Sequence, residues 1–393
     1  MTTVDKYELC TACQVCRLKC PKQCIKFQQD KEGFDVPEVD FSLCVKCGKC
    51  VQVCPQLNKI SKRKPMYTYA VQHKDQNTLL HSSSGGAMSA LAESIFEQHG
   101  VVVGTQMNLE KHSIRYVIVD NLEGLEKLRG SKYIESSIND IYVQVENYLK
   151  RGTKVLFVGT PCHIAGLKVY LEKEYDNLIT IDLICHGVPN AKIFFTYLNE
   201  MQQRKRSTVK KYEFRNKERF GWKCTLLIEF VRYKKYVVAR CDSFFSAYYK
   251  GVIHRNSCYA CHYACGERCG DITIGDYWGI EKYHGNIENT DKGVSLVLVN
   301  TEKGAAAFAD CRGRVNVWES QYEWAATGNG ALNHPSTRPE ARNGVYEDIE
   351  KFGFEKGMKK HTRKVGMFYN TLLLCVPRRF IPLLGKLKNR MKG

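Results

Sequence analysis

Two observations in this 393-residue sequence predict an α/β body, or an α+β body with a mixed sheet, behind a small cysteine-rich N-terminal unit. The first is a pair of matching cysteine runs that ends before residue 60. The second is an alternation of strand-like and helix-like segments from Tyr67 onward, which implies parallel pairing. The expected divisions are an N-terminal unit over 1–60, a linker over 61–66, two body regions over 67–150 and 151–340, and a basic tail over 341–393.

Cys10, Cys13, Cys16 and Cys20 form a C-x2-C-x2-C-x3-C-P run, and Cys44, Cys47, Cys50 and Cys54 repeat it 34 residues later. This spacing is the bacterial pattern for two [4Fe–4S] clusters, in which the fourth cysteine of each run ligates the other cube. It predicts one cube on Cys10, Cys13, Cys16 and Cys54 and a second on Cys44, Cys47, Cys50 and Cys20. Zinc sites usually pair two C-x2-C knuckles and do not explain the C-x3-C-P endings. Between the runs, Ile25 and Phe27, then Phe34 and Val36, alternate around Gly33 as a hairpin would. So small a unit has little core, and its clusters should hold it together.

Ser61-Lys62-Arg63-Lys64-Pro65 reads as the linker. Thr68–Gln72 is strand-like, and Ser82-Ser83-Ser84-Gly85-Gly86 then opens a helix containing Leu91, Ile95 and Phe96. Gly100 ends that helix, and Val101-Val102-Val103-Gly104 follows as a buried strand. Lys154–Gly159, Ile164–Glu174 and Leu178–Ile184 read as strand, helix and strand. Further strands are expected at Leu226–Phe230, Tyr236–Ala239 and Ile272–Ile274.

The net charge of +18 suggests nucleic acid only until its distribution is examined. Two oxidised cubes with their thiolates bring about −2 each, lowering the total to about +14. From Lys351 to Gly393 there are twelve Lys or Arg against the single Glu355, so the excess lies in the tail. No nucleic-acid module is recognisable. The N-terminus lacks an apolar leader, and no apolar run reaches membrane-spanning length. Cluster thiolates must stay reduced, so a cytoplasmic protein is expected. The leucines and basic residues of Leu372–Leu384 suggest peripheral contact with anionic lipid.

Several constellations in the body bear on chemistry. Ser84, Gly85 and Gly86 precede a helix N-terminus, where an anionic group is favoured. Arg129-Gly130-Ser131-Lys132-Tyr133 gathers cations and a hydroxyl around a glycine. Cys162 and Cys185 lie just past the carboxyl ends of two predicted parallel strands, the edge where ligands bind in open α/β sheets. Cys258-x2-Cys261 is a cluster half-site, completed either by Cys265 and Cys269 or by Cys162 and Cys185. His186 and Asp276 are conceivable proton-transfer groups, but no catalytic acid or base is assigned.

In order, Ser84-Gly85-Gly86, Gly130–Tyr133, Gly159-Thr160-Pro161-Cys162, Cys185-His186-Gly187, Cys258-x2-Cys261 and Asp271–Gly279 resemble the coenzyme F420 hydrogenase/dehydrogenase beta-subunit family. The likeness spans roughly residues 67–320 and follows a two-cluster ferredoxin domain. It implies FAD, at least one further [4Fe–4S] cluster, and hydride exchange with a deazaflavin coenzyme or another acceptor. Cys265 and Cys269 fall outside the family pattern, so the resemblance favours Cys162, Cys185, Cys258 and Cys261 for the third cube. Ser84, Gly85, Gly86, Ser131 and Lys132 become the expected flavin- or substrate-binding residues. The expected partner is a redox protein or a small hydride donor or acceptor. Stand-alone bacterial members are associated with surface-polysaccharide systems, which leaves open a relay protein that docks on a separate enzyme.

Overall fold

The computed structural model describes residues 2–362. The N-terminal unit contains an antiparallel hairpin, β1 (Ile25–Gln29) and β2 (Asp35–Val39), paired from Ile25↔Val39. Gly33, at φ +90°, makes the turn, as the sequence predicts. Short helices Val15–Leu18 and Lys49–Gln52 carry cysteines of the two runs.

The body is built on one mixed sheet. Its strands are β3 (Tyr67–His73), β4 (Val101–Asn108), β5 (Ser113–Val119), β6 (Val155–Gly159) and β7 (Leu178–Leu183). A separate antiparallel sheet follows, with β8 (Val209–Asn216), β9 (Thr225–Phe230) and β10 (Lys234–Val238). The strands β11 (Ile272–Asp276), β12 (Ser295–Val299) and β13 (Val315–Ser320) return to the main sheet. The order is β13-β3-β12-β11-β7-β6-β4-β5. Only β4, β6, β7 and β11 run parallel, and β5, β12, β3 and β13 join antiparallel. The mixed-sheet form of the prediction is therefore the one observed.

Both faces of the parallel centre are covered, which is why β6 reads as an uninterrupted apolar run. Side chains alternate between faces along a strand. Val155 and Phe157 bury against helices Ile141–Lys150 and Pro161–Leu171. Leu156 and Val158 bury against helices Ala87–Glu97 and Glu302–Cys311.

Three sequence expectations need correction. The helix expected over Ile164–Glu174 runs from Pro161 to Leu171, with Thr160 as N-cap and Pro161 supplying a favourable φ at the first turn. Cys162 therefore sits inside that first turn. The expected strands do not include β5, β8, β12 or β13; in β5, Ile114 and Tyr116 are buried on either side of exposed Arg115. The tail expected from 341 starts too early. Helix Val345–Phe352 buries Val345, Tyr346 and Ile349, and Phe354 packs edge-on against Tyr197 at 5.1 Å. The remainder of the tail, including Leu372–Leu384, lies outside the described residues.

The linker is pinned rather than loose. Arg63 bridges Arg268, and Lys62 Nζ donates to the His262 carbonyl at 2.9 Å. The N-terminal unit rests on the body through Arg17–Asp140 (2.8 Å), Asn190 Nδ2 to the Glu32 carbonyl (2.8 Å) and Arg342 Nη1–Glu32 (2.9 Å).

Candidate metal centre and its surroundings

The cysteines gather into three sets. In the first, Cys10, Cys13, Cys16 and Cys54 act on one another electrostatically: burial pushes the Cys13 thiol up to about 12, and Cys10 and Cys54 add to that push. Burial against the body explains why. Cys13 and Val15 join the core beneath helix Pro161–Leu171. Gly166 of that helix approaches so closely that a Cβ there would lie 2.9 Å from Cys13 Cβ.

In the second set, Cys20, Cys44, Cys47 and Cys50 line one small pocket. A fifth thiol, Cys24, lines it too, with its Sγ 3.4 Å from that of Cys20. Sequence reasoning missed Cys24, although its place four residues after Cys20 was a visible signal. This set faces outward. Cys47 is the exposed cysteine among the described ones, and Phe41, Leu43 and Val45 beside it are each more than half exposed.

The third set joins the two strand-end cysteines to the half-site. The Cys162 thiol is raised by burial and further by Cys261, Cys185 and Cys258. Burial pushes Cys185 up to about 11. Cys265 and Cys269 lie next to this set. Cys265 Sγ accepts a bond from Lys62 Nζ at 3.3 Å and adds to the push on Cys261, and Cys269 is buried in the core that Cys261 packs against.

Among the described residues, no three His, Cys, Asp or Glu side chains converge on a single-ion position. A cube is larger than an ion and holds its thiolates apart, so its fit is tested by donors to sulfur, which stabilise clusters and tune them. Such donors are present. The Ala12 N–H donates to Cys10 Sγ (3.3 Å) and the Gly187 N–H to Cys185 Sγ (3.4 Å). Thr160 Oγ1 lies 3.3 Å from Cys162 Sγ. Ser257 Oγ, one residue before Cys258, is buried with no hydrogen-bond partner and suits a sulfide acceptor. These residues fit iron–sulfur cubes.

The expected anion cradle looks different. Gly85 is required by backbone packing, since a Cβ there would lie 2.0 Å from the Val71 carbonyl oxygen and 2.4 Å from the Ser295 nitrogen. The Gly85 N–H donates to Ser295 Oγ (2.9 Å), and Ser84 Oγ donates to the Val294 carbonyl (2.7 Å). Gly86, at φ +86°, opens the helix. Lys132 Nζ donates to the carbonyls of Leu128 (2.7 Å) and Arg129 (2.8 Å), closing the end of helix Leu122–Leu128. Ser131 donates from both N–H and Oγ to Ser83 Oγ, at 2.7 and 2.9 Å.

Beside this loop lies a polar cluster that joins Asp276 and Tyr133, both singled out in the sequence, to Arg215 and Trp222, which are not. Arg215 (8% exposed) forks onto Asp276 at 2.7 and 3.2 Å, and its Nη1 also donates to Tyr133 Oη at 3.1 Å. Trp222 Nε1 donates to Asp276 at 3.0 Å and stacks on Trp278, with ring centroids 4.6 Å apart. Asp276 ends β11, so this cluster and the third thiol set share the carboxyl edge of the parallel strands.

The family models agree with this organisation. Residues 68–141 match the N-terminal model of the coenzyme F420 hydrogenase/dehydrogenase beta subunit, and residues 152–323 match its C-terminal model. The chain belongs to the coenzyme F420 hydrogenase/dehydrogenase beta-subunit family. Residues 9–58 of this family member match a 4Fe-4S dicluster domain, which makes the N-terminal unit an iron–sulfur unit. The family member is 26% identical to a coenzyme F420-dependent sulfite reductase of Methanocaldococcus jannaschii over 185 residues. That match takes in 46% of this chain and only 28% of the relative. It is 33% identical to NADH-quinone oxidoreductase subunit I of Pelobacter propionicus over 76 residues, 17% of this chain and 40% of that one. A chain of the F420-reducing [NiFe] hydrogenase complex from Methanosarcina barkeri superposes with TM-score 0.45 at 16% identity, covering 76% of this chain and 91% of that one. No helix among the described residues is long and apolar enough to cross a membrane.

Proposed function

We propose that this family member is an iron–sulfur flavoprotein oxidoreductase with three [4Fe–4S] cubes in series. The first is held by Cys10, Cys13, Cys16 and Cys54, the second by Cys44, Cys47, Cys50 and Cys20, and the third by Cys162, Cys185, Cys258 and Cys261. The observation that carries the proposal is the helix Pro161–Leu171, which bears Cys162 in its first turn and presses Gly166 against Cys13. One rigid element thus joins the first thiol set to the third. The exposed second set is the natural meeting point for a redox partner protein, because Cys47 reaches the surface among apolar side chains.

A flavin supplies the conversion between single electrons and a two-electron hydride step. In this reading it exchanges hydride with a deazaflavin of the coenzyme F420 type or another acceptor, as the family and the sulfite reductase relative suggest. The carboxyl edge beside Arg215, Asp276, Ser83 and Ser131 is its proposed location. Lys132 has no role there, since its ammonium is committed to the helix end. A flavin phosphate at Ser84–Gly86 requires the Val294 and Ser295 contacts to open.

Those engaged donors favour a second reading, a relay protein without flavin that docks on a separate catalytic protein. Anaerobic purification with iron, sulfide and flavin quantification separates the two. About twelve irons and one flavin per chain support the oxidoreductase. Twelve irons without flavin, reduced by ferredoxin but not by reduced deazaflavin, support the relay. Eight irons would remove the third cube from both.

A further inference from the structure

One buried cation belongs to both the first and the third thiol sets. Arg255 is 4% exposed and immediately precedes helix Asn256–Tyr259, which carries Cys258. Its side chain leaves that helix for the N-terminal unit. Nε donates to the Cys10 carbonyl at 2.7 Å, Nη2 donates to the Asp35 carbonyl, and the guanidinium lies 5.1 Å from the Phe34 ring centroid. Its backbone holds the other side. The Cys258 N–H donates to the Arg255 carbonyl at 3.0 Å, and the Arg255 N–H donates to Val188, three residues after Cys185, at 2.9 Å. The counter-charge is Glu135, whose carboxylate accepts from Nη1 at 2.7 Å, with side chains 4% and 10% exposed.

We propose that Arg255 and Glu135 form a tuning pair that sets the reduction potentials of the first and third cubes relative to the second. The proposal rests on the three-cube reading above. Reducing a cube adds one negative charge to it. A buried guanidinium nearby stabilises that charge with little screening, and a buried carboxylate opposes it. Arg255 is a positioning residue here, since it touches the ligand loops and no reacting atom.

The test is a potentiometric titration of the intact, anaerobically purified protein, followed by electron paramagnetic resonance. Arg255→Gln should lower the midpoint potentials of the first and third cubes and move the second by less. Glu135→Gln should raise the first-cube potential. Arg255→Lys should return most of the Arg255→Gln shift. A structural clip would weaken both variants in one direction, so opposite signs are the decisive readout. Potentials that move the same way in both variants, or that stay fixed with all iron retained, would overturn the pair. If Arg255→Gln loses iron, Glu135→Gln carries the test alone, because the cation remains. A wild-type protein with eight irons refutes the third cube; opposite first-cube shifts in that protein would still support the pair.

Discussion

Asp182→Asn should release the third thiol set while leaving the N-terminal unit loaded. Asp182 is fully buried near the end of β7, three residues before Cys185. Its Oδ1 accepts from Arg268 Nη2 (2.9 Å) and Nε (3.2 Å), and its Oδ2 accepts from the N–H groups of Cys269 (3.0 Å) and Gly270 (2.9 Å). One carboxylate thus ties the strand before Cys185 to the loop after Cys261. Asn preserves volume, removes the charge and turns one acceptor into a donor facing N–H groups. Arg268, 1% exposed at its side chain, is left buried without its counter-charge, held by Thr273 Oγ1 and the carbonyls of Tyr263, Cys265 and Leu183. Breaking such a pair costs about 3–5 kcal/mol. With a urea m-value of about 2–3 kcal/mol/M, the body's midpoint should fall by roughly 1–2.5 M. Iron analysis should show a loss of about four irons with about eight retained. Asp182→Leu combined with Arg268→Met should recover much of the stability, because an apolar pair avoids the desolvation cost. An unchanged midpoint with full iron in Asp182→Asn would refute this account.

Other perturbations separate packing from ligand chemistry. Gly166→Ala in an ordinary helix stabilises by about 1 kcal/mol; here the new Cβ meets Cys13 Cβ and Tyr142 Oη at 2.9 Å, so a net loss of about 1–2 kcal/mol and an altered first-cube resonance are expected. A stabilised variant with an unchanged spectrum would contradict the close approach. Gly85→Ala should cost about 3 kcal/mol or more in thermal unfolding, with or without added flavin, because Val71 and Ser295 present backbone to the new Cβ. Near-wild-type stability would return that glycine to a ligand role. Anaerobic chelation of iron should expose residues 2–60 to proteolysis before the body, because the unit's own core pairs Val4, Ile25 and Val39 largely with cysteines. Equal protection of both regions would show that the hairpin and its body contacts suffice without metal.

What sequence reading captured and what it missed divide along the range of the interaction responsible. A cube's ligands repeat at short spacing, and β6 is covered on both faces, so both leave local marks. The helix start at Pro161 was also local, but apolar periodicity drew attention to Ile164 and past the Thr160-Pro161 cap. Charge counting hid the amphipathic helix Val345–Phe352, whose buried Val345, Tyr346 and Ile349 alternate with acids and a lysine on the outer face. Arg255 and Glu135 are 120 residues apart, and nothing near either names the other. Gly85 is the harder case. A glycine that admits a phosphate and a glycine that admits a neighbouring strand impose the same demand on the sequence, the absence of a Cβ. Only the arrival of β12 beside β3, more than two hundred residues later in the chain, distinguishes them here. Ser295 follows the same logic, since its hydroxyl takes the Gly85 N–H that an anion would otherwise need. In the proposed flavoprotein reading, a flavin at this edge would compete with β12 for the same backbone donor, and a Ser295→Ala variant that binds flavin more tightly than wild type is the outcome that competition requires.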